Sequence, residues 1–178
     1  MDDSELLTKI RNPTTRSYGI NLLVRAYQQR VYWHVRKMVI DHDDADDITQ
    51  EVFIKVNQAI DRFREDARLF TWIYRIATNE CLNFLNKKRR RFFFSVEDIG
   101  PELSSKIDSS SDIDADEIQK KLQKALLKLP DKQRLVFNMK YFDDLPYEQI
   151  AEITNTSVGA LKASYHHAVK KIEEFINE

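Results

Sequence analysis

Apolar residues recur at three- and four-residue intervals through most of this chain, the mark of helices that bury one face. In the first forty residues Leu22, Leu23, Ala26, Tyr27, Val31, Val35, Met38 and Val39 keep that spacing. A second helix is expected from about Asp44. Asp44 can cap it, with Asp47 three residues on, and acids suit the positive end of a helix dipole. Its apolar stripe runs Ala45, Ile48, Val52, Val56, Ala59, Phe63. The stretch 61–68 (DRFREDAR) reads as a loop or helix junction, and a third long helix follows from about Leu69 to Arg90. Two faces separate on it. Leu69, Ile73, Ile76, Ala77, Cys81 and Phe84 fall on one side; Arg68, Trp72, Arg75, Asn79, Asn83, Asn86 and Arg90 fall on the other. The second face carries no acid.

Residues 95–116 interrupt the pattern. They are rich in Ser and Asp and place Gly100 beside Pro101, so they read as a mobile linker. Helical spacing resumes with Ile118, Leu122, Ala125, Leu126 and Leu129. Pro130 stops that helix, and Asp131 can cap the next, which runs to about Phe142. Pro146 fits the first turn of a short helix, PYEQIAEIT. Asn155–Thr156–Ser157 then forms a tight turn in which asparagine tolerates a left-handed backbone. A last helix starts at a Ser157 cap. The expected class is therefore all-α: two small helical domains, 1–94 and 117–178, joined by a flexible acidic linker.

Composition reinforces this reading and excludes others. Three glycines and four prolines in 178 residues are few for a chain of many short strands and turns. No run of about eighteen apolar residues occurs, so direct membrane insertion is not expected. The acidic start MDDSELLTKIRNP lacks the apolar stretch of a secretory signal, and a cytoplasmic protein is expected. Cys81 is the single cysteine; it cannot form an internal disulfide, and a buried structural thiol is expected.

The net charge of −1 hides a sorting of charge into blocks. Residues 41–61 hold seven acids against Lys55 alone; residues 62–91 hold nine bases against three acids. Residues 92–118 swing back, with eight acids against Lys106. An acidic face beside a basic one points to two partners of opposite character, one of them nucleic acid.

Two constellations carry candidate chemistry. In PYEQIAEITNTSVGALKASYHH, Ile150, Ile153, Val158 and Leu161 can hold two helices together, with the small Ala151 where they approach. The second helix then presents Ser157, Gly159, Lys162, Ala163 and His166 to a DNA major groove, although an ordinary helical hairpin has the same pattern. On the 68–90 face, Arg68, Trp72, Arg75 and Asn79 suit single-stranded nucleic acid, where each aromatic stack contributes about 1–3 kcal/mol. Lys87, Lys88, Arg89, Arg90 and Arg91 add a block for the phosphate backbone. The plain alternative is a core tryptophan and a solvated helix end. DHDDADD (41–47) contains metal-ligand residue types, and a metal-dependent hydrolase using His42, Asp43 and Asp46 is a rival reading. No second His/Asp cluster completes a coordination sphere. With neither a Gly-rich phosphate loop nor a plausible triad, no enzymatic activity and no cofactor are expected.

The order of these parts resembles the small two-domain sigma factors of the extracytoplasmic-function type. DADDITQEVFIKV resembles the family's region 2.2, FTWIYRIATNECLNFLNKKRR its regions 2.3–2.4, and LPDKQRLVFNMKYFDDLPYEQIAEI with the helix after it region 4. The resemblance implies a protein that binds core RNA polymerase and directs promoter-specific initiation. It implies that Asp47, Gln50, Glu51 and Phe53 dock on the β′ clamp helices. Arg68, Trp72, Tyr74, Arg75 and Asn79 would open the −10 element, and Lys87 to Arg91 would grip the backbone. Region 4 would meet the β flap and read the −35 element through Ser157, Gly159, Lys162, Ala163 and His166. An anti-sigma factor is an implied partner. One departure weakens the −35 contacts: two arginine positions of the family's last helix are Ser164 and His167 here, leaving less fixed charge for phosphate. A stand-alone helix-turn-helix regulator is the other rival, and it leaves the acidic 43–53 face without work.

Overall fold

The computed structural model describes residues 2–92 and 117–177; the expected linker, 95–116, lies outside them. Among the described residues every regular element is a helix.

The N-terminal unit opens with α1 (Asp3–Arg11), which the sequence reading did not separate from its successor, and α2 (Arg16–Val39). The two pack closely at Gly19. A Cβ there would lie 2.9 Å from both Cγ1 and the backbone N of Ile10, so only hydrogen fits. The chain then reverses within two residues. Ile40 adopts φ 67°, ψ −40°, and the Asp41 N–H donates to the Val39 carbonyl at 2.8 Å, closing a three-residue γ-turn.

Asp41 ends that turn in an extended conformation and accepts the Asp44 N–H at 3.0 Å, so α3 (His42–Ala59) starts two residues before Asp44. The cap is Asp41 and not Asp44. Any of several neighbouring acids has the right chemistry, and the one with non-helical backbone takes the role. The expected stripe of Ala45, Ile48, Val52 and Val56 is buried. A 3₁₀ turn (Ile60–Arg62) and a short irregular segment lead into α4 (Leu69–Phe92).

The C-terminal unit comprises α5 (Glu117–Leu127), α6 (Asp131–Phe137), a π-helical turn (Asn138–Phe142), α7 (Tyr147–Thr154) and α8 (Val158–Asn177). Pro130 takes the cap position of α6, and Asp131 is its first helical residue rather than its cap. Pro146 likewise sits at the cap of α7, just before its first turn. Asn155 adopts the left-handed conformation (φ 51°, ψ 47°), and Ser157 Oγ accepts the Ala160 N–H at 3.2 Å, both as expected.

Packing joins the two units. One core runs from Leu23, Val35, Met38, Ile73, Cys81 and Leu85 into Leu135, Val136, Met139, Ile150 and Ile153, so α6 and α7 lie against α2 and α4. A second, smaller core of Ala125, Leu126, Leu129, Phe137, Ala168 and Ile172 belongs to the C-terminal unit alone.

Candidate nucleic-acid interface

The buried stripe of α4 comprises Leu69, Phe70, Ile73, Tyr74, Ala77, Cys81 and Leu85. What remains outside is the acid-poor face. Arg68, Arg75 and Asn79 are exposed, and Trp72 is half-buried with its ring 5.1 Å from that of Phe63.

Tyr74 departs from its expected place. It is 2% exposed, and its hydroxyl donates to the Arg30 carbonyl at 3.1 Å. Two residues of helix turn the chain by about 200°, so Tyr74 must face away from Trp72. Burial pushes its phenol above the usual range, with the Asp143 charge adding to the shift. Cys81 is fully buried as expected, its thiol pushed up to about 12, chiefly by burial.

Beside the exposed face lies a cleft of about 540 Å³ lined by Lys55, Gln58, Ala59, Arg62, Ile76, Asn79 and Glu80. Lys55 Nζ bonds Glu80 Oε1 at 2.6 Å, and this bond holds the ammonium above its ordinary range. The cleft offers donors and acceptors around a short apolar wall of Ala59 and Ile76. Sequence reasoning found only Asn79 among its lining. Ile76 and Glu80 share α4 with it, while Lys55, Gln58, Ala59 and Arg62 sit on α3 and the 3₁₀ turn after it, and nothing local marks these four as neighbours of α4.

The basic run is divided. Lys87, Arg90 and Arg91 are exposed, whereas Lys88 lies 3.6 Å from Asp44 and Arg89 Nη2 lies 2.5 Å from Asp131 of α6. On α3, Asp47, Gln50 and Glu51 form an exposed polar face. Phe53 is half-buried against the core, and the apolar residue on the outside is Ile54, 50% exposed. Ile54 falls off the stripe of buried positions, the one sequence signal that could have found it. His42 takes a Tyr32 contact at 2.6 Å and an Asp46 contact at 3.3 Å. Among the described residues no group of three His, Cys, Asp or Glu side chains could hold a metal.

In the C-terminal unit α7, the left-handed Asn155 and α8 form a helix-turn-helix. Leu161, Ala168 and Ile172 point inward, and Gly159, Lys162, Ala163 and His166 share the exposed face with Ser157 at its head. A Cβ at Gly159 would meet nothing within 4 Å, so that position is open to a partner.

Where the units meet, the contacts are strongly polar. The Arg75 guanidinium donates to the Glu152 carbonyl at 3.2 and 2.8 Å. Arg134, buried in α6, donates to the Met38 carbonyl at 3.0 Å and shares Asp131 with Arg89. Lys37 bonds Asp143, and His34 bonds Thr78 at 3.0 Å while its other nitrogen stands 3.8 Å from Asp143. Burial alone would raise the Asp143 carboxyl. The interactions with His34 and Lys37 outweigh it and hold the group below its ordinary range. At 3.8 Å the His34 contact exceeds hydrogen-bond length, so Lys37 is the firmer partner.

Fold and faces define an all-helical protein that ends in a helix-turn-helix. The comparisons with known proteins agree. Residues 23–91 match the model of sigma-70 region 2, and residues 119–172 match that of sigma-70 region 4. The ECF RNA polymerase sigma factor SigW of Bacillus subtilis is 32% identical over 164 residues, covering 88% of each chain. The ECF RNA polymerase sigma-E factor of Escherichia coli K12 is 29% identical over 181 residues, covering 97% of this chain and 93% of its own.

Among solved structures, CnrH in complex with the cytosolic domain of CnrY aligns with a TM-score of 0.69 at 18% identity, covering 98% of this chain and 94% of that one. The sigma factor RpoE in complex with the anti-sigma factor NepR from Bartonella quintana aligns at 0.67 and 20% identity, covering 88% and 96%. These likenesses support the fold. The chain belongs to the extracytoplasmic-function group of the sigma-70 family of RNA polymerase sigma factors.

Proposed function

We propose that the chain is a promoter-specificity subunit that binds core RNA polymerase, opens the −10 element with α4 and reads the −35 element with α8. The observation that carries this reading is the division of labour between adjacent helices. An acid-free exposed face with a half-buried tryptophan on α4 borders a cleft between α3 and α4 roomy enough for a base, and a separate exposed acidic face lies on α3. Asp47, Gln50 and Glu51 dock on the β′ clamp helices, with Ile54 as the apolar anchor and Phe53 supporting it from the core side. Arg68, Trp72, Arg75 and Asn79 hold the displaced strand, and an unstacked base enters the cleft beside Asn79. Lys87 to Arg91 grip phosphate, while Tyr74 supports α4 from inside.

The C-terminal unit meets the β flap, and Ser157, Gly159, Lys162, Ala163 and His166 face the major groove. Such a subunit acts by binding alone, in the cytoplasm, with no catalytic group or cofactor. An anti-sigma factor is its natural antagonist; the RpoE structure of like fold is a complex with the anti-sigma factor NepR. The test is run-off transcription with core polymerase on DNA from its own genome. Initiation at discrete sites is expected. Trp72→Ala should abolish opening while leaving polymerase binding intact, whereas Asp47→Ala with Gln50→Ala should weaken polymerase binding and leave DNA binding by the chain unchanged. A chain that binds promoter DNA alone and never engages polymerase would overturn the reading in favour of a stand-alone regulator.

A further inference from the structure

The junction between α3 and α4 is pinned from outside by the end of α1 and the start of α2. Arg16 places its guanidinium between two helix ends. It donates to the Ile10 carbonyl in the last turn of α1 and to the Asn57 carbonyl in the last turn of α3, both at 3.4 Å. Its firmest bond goes to Asp61 Oδ1 on the 3₁₀ turn, at 2.7 Å. Arg11, the last residue of α1, pairs with Glu65 at 2.6 Å and donates to the Phe63 carbonyl at 3.3 Å. Two arginines thus grasp residues 61, 63 and 65.

That segment forms one rim of the cleft. Arg62 lines the cleft, and Phe63 is buried with its ring against Trp72. Glu65 adopts φ 60°, a left-handed backbone that residues with a long side chain rarely enter. Such a conformation persists only where the surroundings over-determine it, and at Glu65 the Arg11 guanidinium holds the side chain. The paired side chains keep much of their surface in water. Exposed ion pairs add little to overall stability, so the effect of these two is local: they direct a short irregular stretch of chain. They also neutralise two carboxylates beside a face that phosphate has to approach.

We propose that Arg11 and Arg16 are positioning residues for base selection: they fix residues 61–65 as a firm rim, so that the cleft between α3 and α4 takes one base in preference to the others. This rests on the reading of the cleft as the site of an unstacked base. Neither arginine touches the base. Both act through Arg62 and Phe63, whose places depend on the segment being held. Without them the fold stays, the rim moves, and the cleft takes bases more evenly.

The experiment uses holoenzyme at a promoter mapped by run-off transcription, with each position of its −10 element changed in turn to the other three bases. Open-complex formation is measured for each version. Wild type should prefer one base at one position by about tenfold or more, as a specific contact does. Arg11→Ala with Arg16→Ala should bring that ratio to within about twofold, with polymerase binding and helical circular dichroism unchanged. Amide hydrogen exchange in the full chain should quicken across 61–68 and stay as it was within α3 and α4. Arg16→Asp alone should have both effects, and adding Asp61→Arg should reverse both. Should the double alanine variant lose its helical signal, this charge exchange decides.

A wild type that initiates yet prefers no base, or variants that keep its preference, overturn the proposal. Lost preference without quicker exchange at 61–68 would make the arginines direct DNA contacts and overturns it as well. Exchange that quickens through α1, α3 and α4 together would reduce them to supports of the fold. Failure of wild type to initiate at all would instead remove the promoter reading and base selection with it, with hydrogen exchange still judging the hold on the rim.

Discussion

At Gly19 the packing of α1 on α2 comes down to one missing carbon. Gly19→Ala would force a methyl against the Ile10 backbone, which cannot move aside as a flexible side chain could. Equilibrium urea unfolding should show a loss of about 1–3 kcal/mol, even though alanine favours helix more than glycine does. Trp72 and Tyr74, two residues apart, should behave oppositely. Tyr74→Phe removes only the bond to the Arg30 carbonyl and should cost about 1 kcal/mol of stability with initiation preserved. Helical spacing in the sequence separates Trp72, Arg75 and Asn79 from the core face. It says nothing of His34, Arg134 or Asn138, because Arg134 meets its Met38 partner 96 residues away and no local pattern encodes such a pairing.

The helices themselves were legible, since each buries a stripe whose period is visible in the chain. Their ends were less so. Asp41 and Asp44 are chemically equivalent caps, and backbone conformation chooses between them. The π-helical turn after Phe137 has no sequence sign; its buried Asn138 reaches back to the Lys37 carbonyl at 3.4 Å. The helix-turn-helix was the most legible element because Asn155 and Ser157 each have a specific backbone task. Ser157→Ala should cost about 1 kcal/mol through the lost α8 cap, measured by thermal unfolding. Lys162→Ala should lower the slope of log affinity against log salt for −35 duplex DNA by about 1, the signature of one phosphate contact.

For the whole molecule, two helical units were foreseen but not the core they share, which depends on residues unremarkable in their own segments. That packing carries a pH dependence. The Asp143 carboxyl lies below its ordinary value of 3.8 while Lys37 and His34 face it. A depressed acid contributes stability above the ordinary value and loses it as pH falls through the lower one. The chain should therefore scatter alike at neutral and mildly acidic pH and begin to extend below 3.8. Asp143→Asn should lack that acid step.

Both tryptophans of the chain, Trp33 and Trp72, lie in the N-terminal unit. Trp33 is 54% exposed beside Tyr32, and Trp72 is half-buried against Phe63. Intrinsic emission from this protein therefore illuminates one half only. Replacing Trp33 with phenylalanine leaves a single native lamp at the edge of α4, bright or quenched according to what lies against that ring, with no dye attached.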